Sequence, residues 1–192
     1  MNTKDNQRAR LSKQLLKNAL MELMVEKGAV EKISVRELCL KAQLNRSTFY
    51  AHYNEPGEIL AEIENDLLLS TEDHLKKIGN ENAGGAKKYI LSFLKYIKEN
   101  RDYCKVLLID SFDTAFRTRF LQNALLQFIK SLNLEFTKES EQFIYSYLIN
   151  GSAGIIIQWI RSDFIANEEL ICNLLFRLNE NVLLELKEYI ID

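Results

Sequence analysis

Apolar residues recur along this chain at intervals of three and four, and those intervals mark out a series of helices. Between positions 8 and 27, Leu11, Leu15, Ala19, Met21 and Leu23 fall near one face, while Lys13, Lys17 and Glu22 lie mostly elsewhere. Gly28 is placed to end that helix as a left-handed cap. Ser34-Val35-Arg36-Glu37 then matches the capping box, in which serine and glutamate satisfy each other's orphan backbone amides. A short helix follows to about Ala42, with Val35, Leu38, Cys39 and Ala42 as its inward residues. Asn45 is a suitable N-cap for another short helix, 46 to about 52. Pro56 suits a first helical position, with Glu55 before it as a candidate cap, and opens a helix to about 78. Residues 79–85 form the one loop-like cluster of any length. Beyond it the helical period returns over 86–100, 101–109, 115–132, 138–162 and 167–190, with Asn133 and Asp163 as breaks. No stretch alternates as a strand would, and no internal repeat is found. The expectation is an all-α chain of about nine helices.

Composition narrows the class. With 47% hydrophobic and 27% charged residues the chain can bury a real core. One proline and seven glycines leave little punctuation, which favours long helices. No apolar run approaches the roughly 18–20 residues of a membrane span, and the polar start, Met1 to Arg10, lacks the apolar core of a signal peptide. A cytoplasmic protein with no membrane partner is expected. Cys39, Cys104 and Cys172 are far apart, and His52 and His74 are the only histidines. Reduced, buried thiols follow, with no metal site and no cofactor. No nucleophile–base–acid set and no phosphate-cradling glycine loop can be assembled, so no catalytic residues are assigned and an enzyme is not expected.

The net charge of −2 hides a division. Residues 1–53 carry ten Lys/Arg against five Asp/Glu, a balance of +5; residues 54–192 carry fifteen against twenty-two, a balance of −7. A basic head on an acidic body fits a head that meets phosphates and a body that does not.

Two short helices joined by a tight turn, 34–42 and 46–52, are the helix-turn-helix arrangement. Phe49 and Tyr53, four residues apart, should pack inward with Leu44. Arg46, Ser47, Tyr50 and His52 are left pointing outward. Arginine can fork onto guanine, serine can serve a base edge or a phosphate, and tyrosine adds a hydroxyl on a flat body.

Residues 15–60 resemble the N-terminal domain of the TetR family. The likeness is carried by Glu26-Lys27-Gly28, Ile33-Ser34-Val35-Arg36-Glu37-Leu38, and above all Leu44-Asn45-Arg46-Ser47-Thr48-Phe49-Tyr50-Ala51-His52-Tyr53. The resemblance implies a supporting helix at 34–42, a recognition helix at 45–53, and phosphate contacts near Ser34, Arg36, Thr48, Tyr50, His52 and Tyr53. With Asn45, Arg46 and Ser47 these make the expected DNA-binding set. It also implies a DNA-binding domain over 1–54 and an effector-binding, dimerising domain over 55–192, connected by the helix at 56–78. One position departs: where the family commonly has a phosphate-contacting lysine, this chain has Pro56. An ammonium contact is lost there, and the acidic Glu55 would repel a phosphate.

One short recognition helix supplies too few contacts for specific affinity, so a homodimer is expected. The stretch 146–160 is apolar almost all round and holds Gly151, Ser152, Ala153 and Gly154, which let another helix approach closely. Ile149, Ser152, Ala153, Ile156 and Ile160, with Leu174, Leu178 and Val182 from the last helix, are the expected dimer interface. By resemblance the body encloses a pocket for a small-molecule effector. Phe93, Tyr96, Tyr103, Phe112, Phe116, Phe120, Tyr147 and Trp159 are the candidate lining, although aromatics at helical spacing are more often plain core. The functional expectation is a sequence-specific transcriptional regulator, a repressor that binds a near-palindromic operator as a homodimer and is released by an effector. The alternative is a protein-interaction module on the same fold that has lost or altered DNA binding.

Overall fold

The computed structural model describes residues 3–76, 85–110, 114–130, 135–186 and 190–191. Nine α-helices occupy the described residues: α1 (Thr3–Lys27), α2 (Val35–Ala42), α3 (Arg46–Tyr50), α4 (Pro56–Lys76), α5 (Gly85–Glu99), α6 (Arg101–Lys105), α7 (Thr114–Lys130), α8 (Glu141–Arg161) and α9 (Glu168–Glu185). The all-α expectation holds, as a three-helix head of α1 to α3 and a helical body. A one-turn 3-10 helix (Val30–Lys32) precedes α2, and α6 runs directly into a π-helical turn (Val106–Asp110). One small antiparallel pairing was not expected: β1 (Glu135–Phe136) joins β2 (Ile190–Ile191), so the last helix stops at Glu185 rather than running to 190. The break expected at Asn133 and the loop at 79–84 lie outside the described residues.

Local chemistry sets the head. Gly28 takes φ 76° and returns its N–H to the carbonyl of Met24, a left-handed C-cap that costs glycine nothing. The capping box of α2 is complete: Glu37 N–H donates to Ser34 Oγ, and Ser34 N–H donates to Glu37 Oε2. Asn45 has the extended backbone of an N-cap, but its side chain makes no capping hydrogen bond. At the far end of the chain Asn167 does cap α9, accepting from Leu170 N–H at 2.8 Å.

The face of α1 matches the expected one at Ala19, Met21 and Leu23 and departs from it at Leu11 and Leu15. Leu11 and Leu15 are exposed, while Leu16, Ala19, Leu20, Leu23 and Met24 are buried, a run whose members recur three and four residues apart along one helical face. That stripe packs on α2 and α4, joining the head to the body. Elsewhere the core is continuous through α5, α7, α8 and α9, with Phe93, Phe120, Trp159 and Ile160 near its centre.

Contrary to the expectation that no stretch suffices, helix α8 is long and apolar enough to cross a membrane by length and composition. Its Ile144, Leu148, Ile156, Trp159 and Ile160 are buried in the core of this chain. That burial covers about a third of the apolar window, and Phe143 and Tyr147 on the same helix are exposed.

Candidate nucleic-acid interface

The recognition helix is oriented by what it buries. Phe49 is fully enclosed and Tyr53 is 4% exposed, with ring centroids 6.1 Å apart. Both anchor α3 against the core, with Leu44 partly buried beside them. Their burial turns Arg46, Ser47 and Tyr50 to solvent, and Tyr50 is 59% exposed. Its ring meets Phe49 edge-on at 5.2 Å, which fixes the direction in which the hydroxyl projects. Asn45 is also exposed, whereas Thr48 and His52 are half-buried. On α2, Ser34 and Arg36 are exposed, with Ser34 committed to its capping box.

Tyr53 is a correction to the phosphate-contact set. Its hydroxyl donates to Glu62 Oε2 at 3.1 Å, inside a cluster that joins α1 to α4. Lys13 reaches the same oxygen at 2.8 Å and lies 5.1 Å from the Tyr53 ring centre. Lys17 bridges Glu62 at 2.9 Å and Asp66 at 2.6 Å. Burial pushes the Glu62 carboxyl up, but the hydrogen bonds from Lys13, Lys17 and Tyr53 outweigh it and hold it at about 2. Burial, reinforced by the Glu62 charge, raises the Tyr53 phenol. Glu62 is a structural hub that the sequence reading missed, because its partners lie 9 to 49 residues away along the chain.

The basic excess of the head therefore divides in two. Lys13, Lys17, Lys27 and Lys41 are ion-paired within the fold, to Glu62, Asp66, Glu37, Glu22 and Glu26. Lys27 at 2.6 Å, with Ser34, holds the Glu37 carboxyl at about 2. Arg36 and Arg46 are exposed and have no carboxylate partner among the described residues. The turn between α2 and α3 is made by Gln43, in the left-handed conformation at φ 55°, with its N–H returned to the last turn of α2. This position usually favours glycine, so composition gave no signal for it.

At the start of α4, Pro56 occupies the first helical position as expected. The Glu58 carboxylate accepts from the Asn54 backbone N–H at 2.8 Å and from the Asn54 amide at 2.9 Å. Those bonds, the side-chain one first, lower the Glu58 pKa. Pro56 thus stands where the resemblance places a phosphate-contacting lysine, with the Glu58 carboxylate two residues beyond it.

In the body, the candidate pocket residues disperse. Phe93, Phe116 and Phe120 pack on one another, with ring centroids 5.7 Å apart in each neighbouring pair. Tyr96 and Tyr103 line a cleft of about 240 Å³ with Gln14, Ile63, Leu67 and Ser70, at the junction of α1 with the body. There the Ser70 and Tyr96 hydroxyls are hydrogen-bonded to each other, and Gln14 donates to the Tyr103 hydroxyl at 3.3 Å. Trp159 lines a different groove, between α8 and α9, with Gly151, Gly154 and Leu174. Tyr147 is corrected outright: it is 65% exposed on α8 and lines no interior. Phe112 lies outside the described residues.

The dimer set also needs correction. Ile149, Ser152, Ile156 and Ile160 are buried within this chain, where Ser152 accepts a hydrogen bond from Asn179 at 3.1 Å. A helix apolar on every side does not reveal which stripe a partner would meet. Leu174 and Leu178 are exposed, and Ala153 and Val182 are half-buried. The outward apolar strip is completed by Phe143 and Tyr147 on α8 and Leu170 on α9, with Gly151 and Gly154 leaving open space between.

Comparison with known proteins gives a consistent picture. A family model described as the C-terminal region of a TetR-type transcriptional regulator matches residues 85–181. A curated relative, the HTH-type transcriptional activator DhaS of the dhaKLM operon from Lactococcus lactis, is 29% identical over 102 residues, 52% of this chain and 51% of the relative. The chain thus matches about half the length of that relative. Among solved structures, a TetR transcriptional regulator from Streptococcus agalactiae superposes with a TM-score of 0.66 at 24% identity, covering 91% of this chain and 97% of that one. A TetR-like regulator from Rhodococcus superposes with a TM-score of 0.68 at 18% identity, covering 90% and 96%.

Proposed function

Since the chain belongs to the TetR family of transcriptional regulators, we propose that it binds a near-palindromic DNA operator as a homodimer and acts as an effector-responsive repressor in the cytoplasm. The observation that carries this reading is the division of cations in the head: lysines satisfied inside the fold, Arg36 and Arg46 exposed without a carboxylate partner. Cations held away from internal carboxylates are available to phosphates and base edges. Arg46 and Tyr50 read bases, Ser47 serves either a base edge or a phosphate, and Arg36, Asn45, Thr48 and His52 orient the head on the backbone, while Ser34, its N–H and hydroxyl both given to Glu37, acts through the capping box that sets α2. Residues 1–54 act as the reading domain and 55–192 as the pairing and sensing domain, with α4 between them.

Two such heads, carried by one dimer, would enter successive major grooves. Dimerisation uses the exposed apolar residues Phe143, Tyr147, Leu170, Leu174 and Leu178, which a second copy would remove from water. Effector control is placed at the junction cleft under Tyr96 and Tyr103, because a ligand there would push α1 away from the body and alter the spacing of the heads. Repression rather than activation depends on where the operator lies relative to the promoter, so a reporter assay on the identified operator decides it.

Selection of bound duplexes from a random pool, followed by a salt titration of the winner, tests the whole reading. A two-fold symmetric consensus with a steep fall of affinity in salt supports it, at a log–log slope of about −0.9 per neutralised phosphate. A folded sample that enriches no sequence would overturn it in favour of a protein-interaction module, a reading that Pro56 and the Glu58 carboxylate at the start of α4 favour.

A further inference from the structure

A second cleft, between α7 and α8, carries two arginines that neither DNA reading nor the pairing strip uses, although its Gly154 also borders that strip. This cleft, open to solvent along Thr118, Gln122 and Asn150, holds about 240 Å³, room for roughly eight water-sized groups at about 30 Å³ each. Its apolar side is made by Leu121, Ile149 and Ile157, of which Leu121 and Ile149 are buried. Arg117 from α7 and Arg161 from the last turn of α8 both line it. The side chain of Gly154 is absent at its edge, and a Cβ built there would meet nothing within 4 Å.

The charge balance of this cleft is one-sided. No aspartate or glutamate lines it. Arg117 gives one Nη1 hydrogen bond to the carbonyl of Leu108 at 3.3 Å, a neutral acceptor that leaves its charge uncompensated. Neither Arg117 nor Arg161 has a carboxylate partner among the described residues. The junction cleft is the contrast: its Lys17 is already neutralised by Asp66 at 2.6 Å. On α8, Asn150 uses its amide NH₂ on Ser146, at 2.8 Å to the carbonyl and 3.2 Å to the hydroxyl. Its carbonyl oxygen is thus an acceptor for a protonated or hydroxylated group beside the arginines.

Two guanidinium forks beside an apolar wall select a particular ligand. The guanidinium matches a carboxylate in a planar, two-point geometry and is less strongly hydrated than an ammonium, so it gives up water more readily. A ligand without an apolar part would leave the half-buried Ile157 and Ala153 facing water. A ligand without charge would leave two arginines without an anion. We propose that the α7–α8 cleft binds a small carboxylate with a short apolar tail, held by Arg117 and Arg161. The site is built within one chain, so it stands apart from operator binding and from the junction cleft.

Hexanoate, which has eight non-hydrogen atoms, is the probe, with hexanol and inorganic phosphate as companions. Calorimetric titration and thermal unfolding of the full chain give the readout, and neither needs DNA. Hexanoate should bind and raise the unfolding temperature in a dose-dependent way. Arg161→Ala should weaken that binding about tenfold or more, the scale of one charge-assisted contact. Arg161 is exposed, so this variant should keep the fold, and Arg177→Ala on α9 serves as a surface control that leaves binding unchanged. Arg117→Ala should weaken binding similarly; should its lost bond to Leu108 disturb folding, Arg161→Ala still decides. Equal binding of hexanol, or equal binding of hexanoate by Arg161→Ala, overturns the proposal. Arginine-dependent binding of phosphate with none of hexanoate overturns the carboxylate class. Silence from hexanoate, together with a weaker dimer in Arg161→Ala, also overturns it and gives the arginines a carboxylate of a second copy as their counter-ion.

Discussion

The head and the body are held by different kinds of interaction. In the head, polar devices act at short range: the Gly28 cap, the Ser34–Glu37 capping box, the Lys27–Glu37 pair at 2.6 Å and the Glu62 hub. They set α2 and α3 so that burying Phe49 and Tyr53 leaves Arg46 and Tyr50 on the solvent side. The body relies on apolar packing around Phe93, Phe120, Trp159 and Ile160, and an apolar strip remains uncovered along α8 and α9. Directional bonds specify where a surface points; apolar burial is non-directional and specifies only how much is covered. A reader of base edges needs the first property, and a pairing surface can be built from the second.

The sharpest way to break this contrast is to charge the strip. Leu174→Arg combined with Leu178→Arg places two cations on a face that a second copy would desolvate, and burying an unpaired charge costs several kcal/mol. Sedimentation should change from dimer to monomer while helical circular dichroism is kept, and operator affinity should fall with the loss of the second head. Leu69→Arg, at an apolar position on α4 that is also exposed, should leave the dimer intact. A double variant that still sediments as a dimer moves the interface elsewhere.

The same contrast explains what could be read from the sequence. The capping box, the glycine cap and the Phe49/Tyr53 pair are encoded within a few residues, so the head was legible down to the exposed Arg46, Ser47 and Tyr50. On α1, Ala19, Met21 and Leu23 are buried as their period implies, but Leu11 and Leu15 continue that period where the face has no neighbour. In α8 the difficulty is greater: Ile149, Ile156 and Ile160 are as apolar as Phe143 and Tyr147, and only tertiary packing decides which set is covered. Glu62, the π-helical turn at Val106–Asp110 and the β1–β2 pairing depend on partners distant in sequence, which no local pattern announces.

A smaller effect sharpens the head's side of the comparison. Arg46→Ala removes an exposed side chain with no carboxylate partner among the described residues, so stability should change little. Specific DNA affinity should fall by about 1–3 kcal/mol, with relaxed preference at one position per half-site. Competition titration against point-substituted operators measures both. An unchanged affinity with an unchanged preference would remove Arg46 from base readout and leave Tyr50 and Ser47 to carry it.

The smallest expected effect concerns the capping box and acid. Ser34→Ala deletes the oxygen that accepts from Glu37 N–H, and a lost cap of this kind costs about 1 kcal/mol. Glu37 and Glu62 are both held at about 2 in the folded chain, below the ordinary carboxylate range. A depressed folded pKa means that the unfolded chain takes up the proton first. The stabilisation is therefore complete above the unfolded value, near 4.3, and is lost progressively as pH falls toward 2. In Ser34→Ala, Glu37 loses one of the bonds that lower its pKa but keeps the larger contribution from Lys27. Denaturant titrations of parent and variant should thus be offset at pH 7 and draw closer between about pH 4 and pH 2, because part of what Ser34 adds disappears once Glu37 is protonated. Parallel curves across that window would show that the serine acts only as a backbone cap, without coupling to the glutamate's charge.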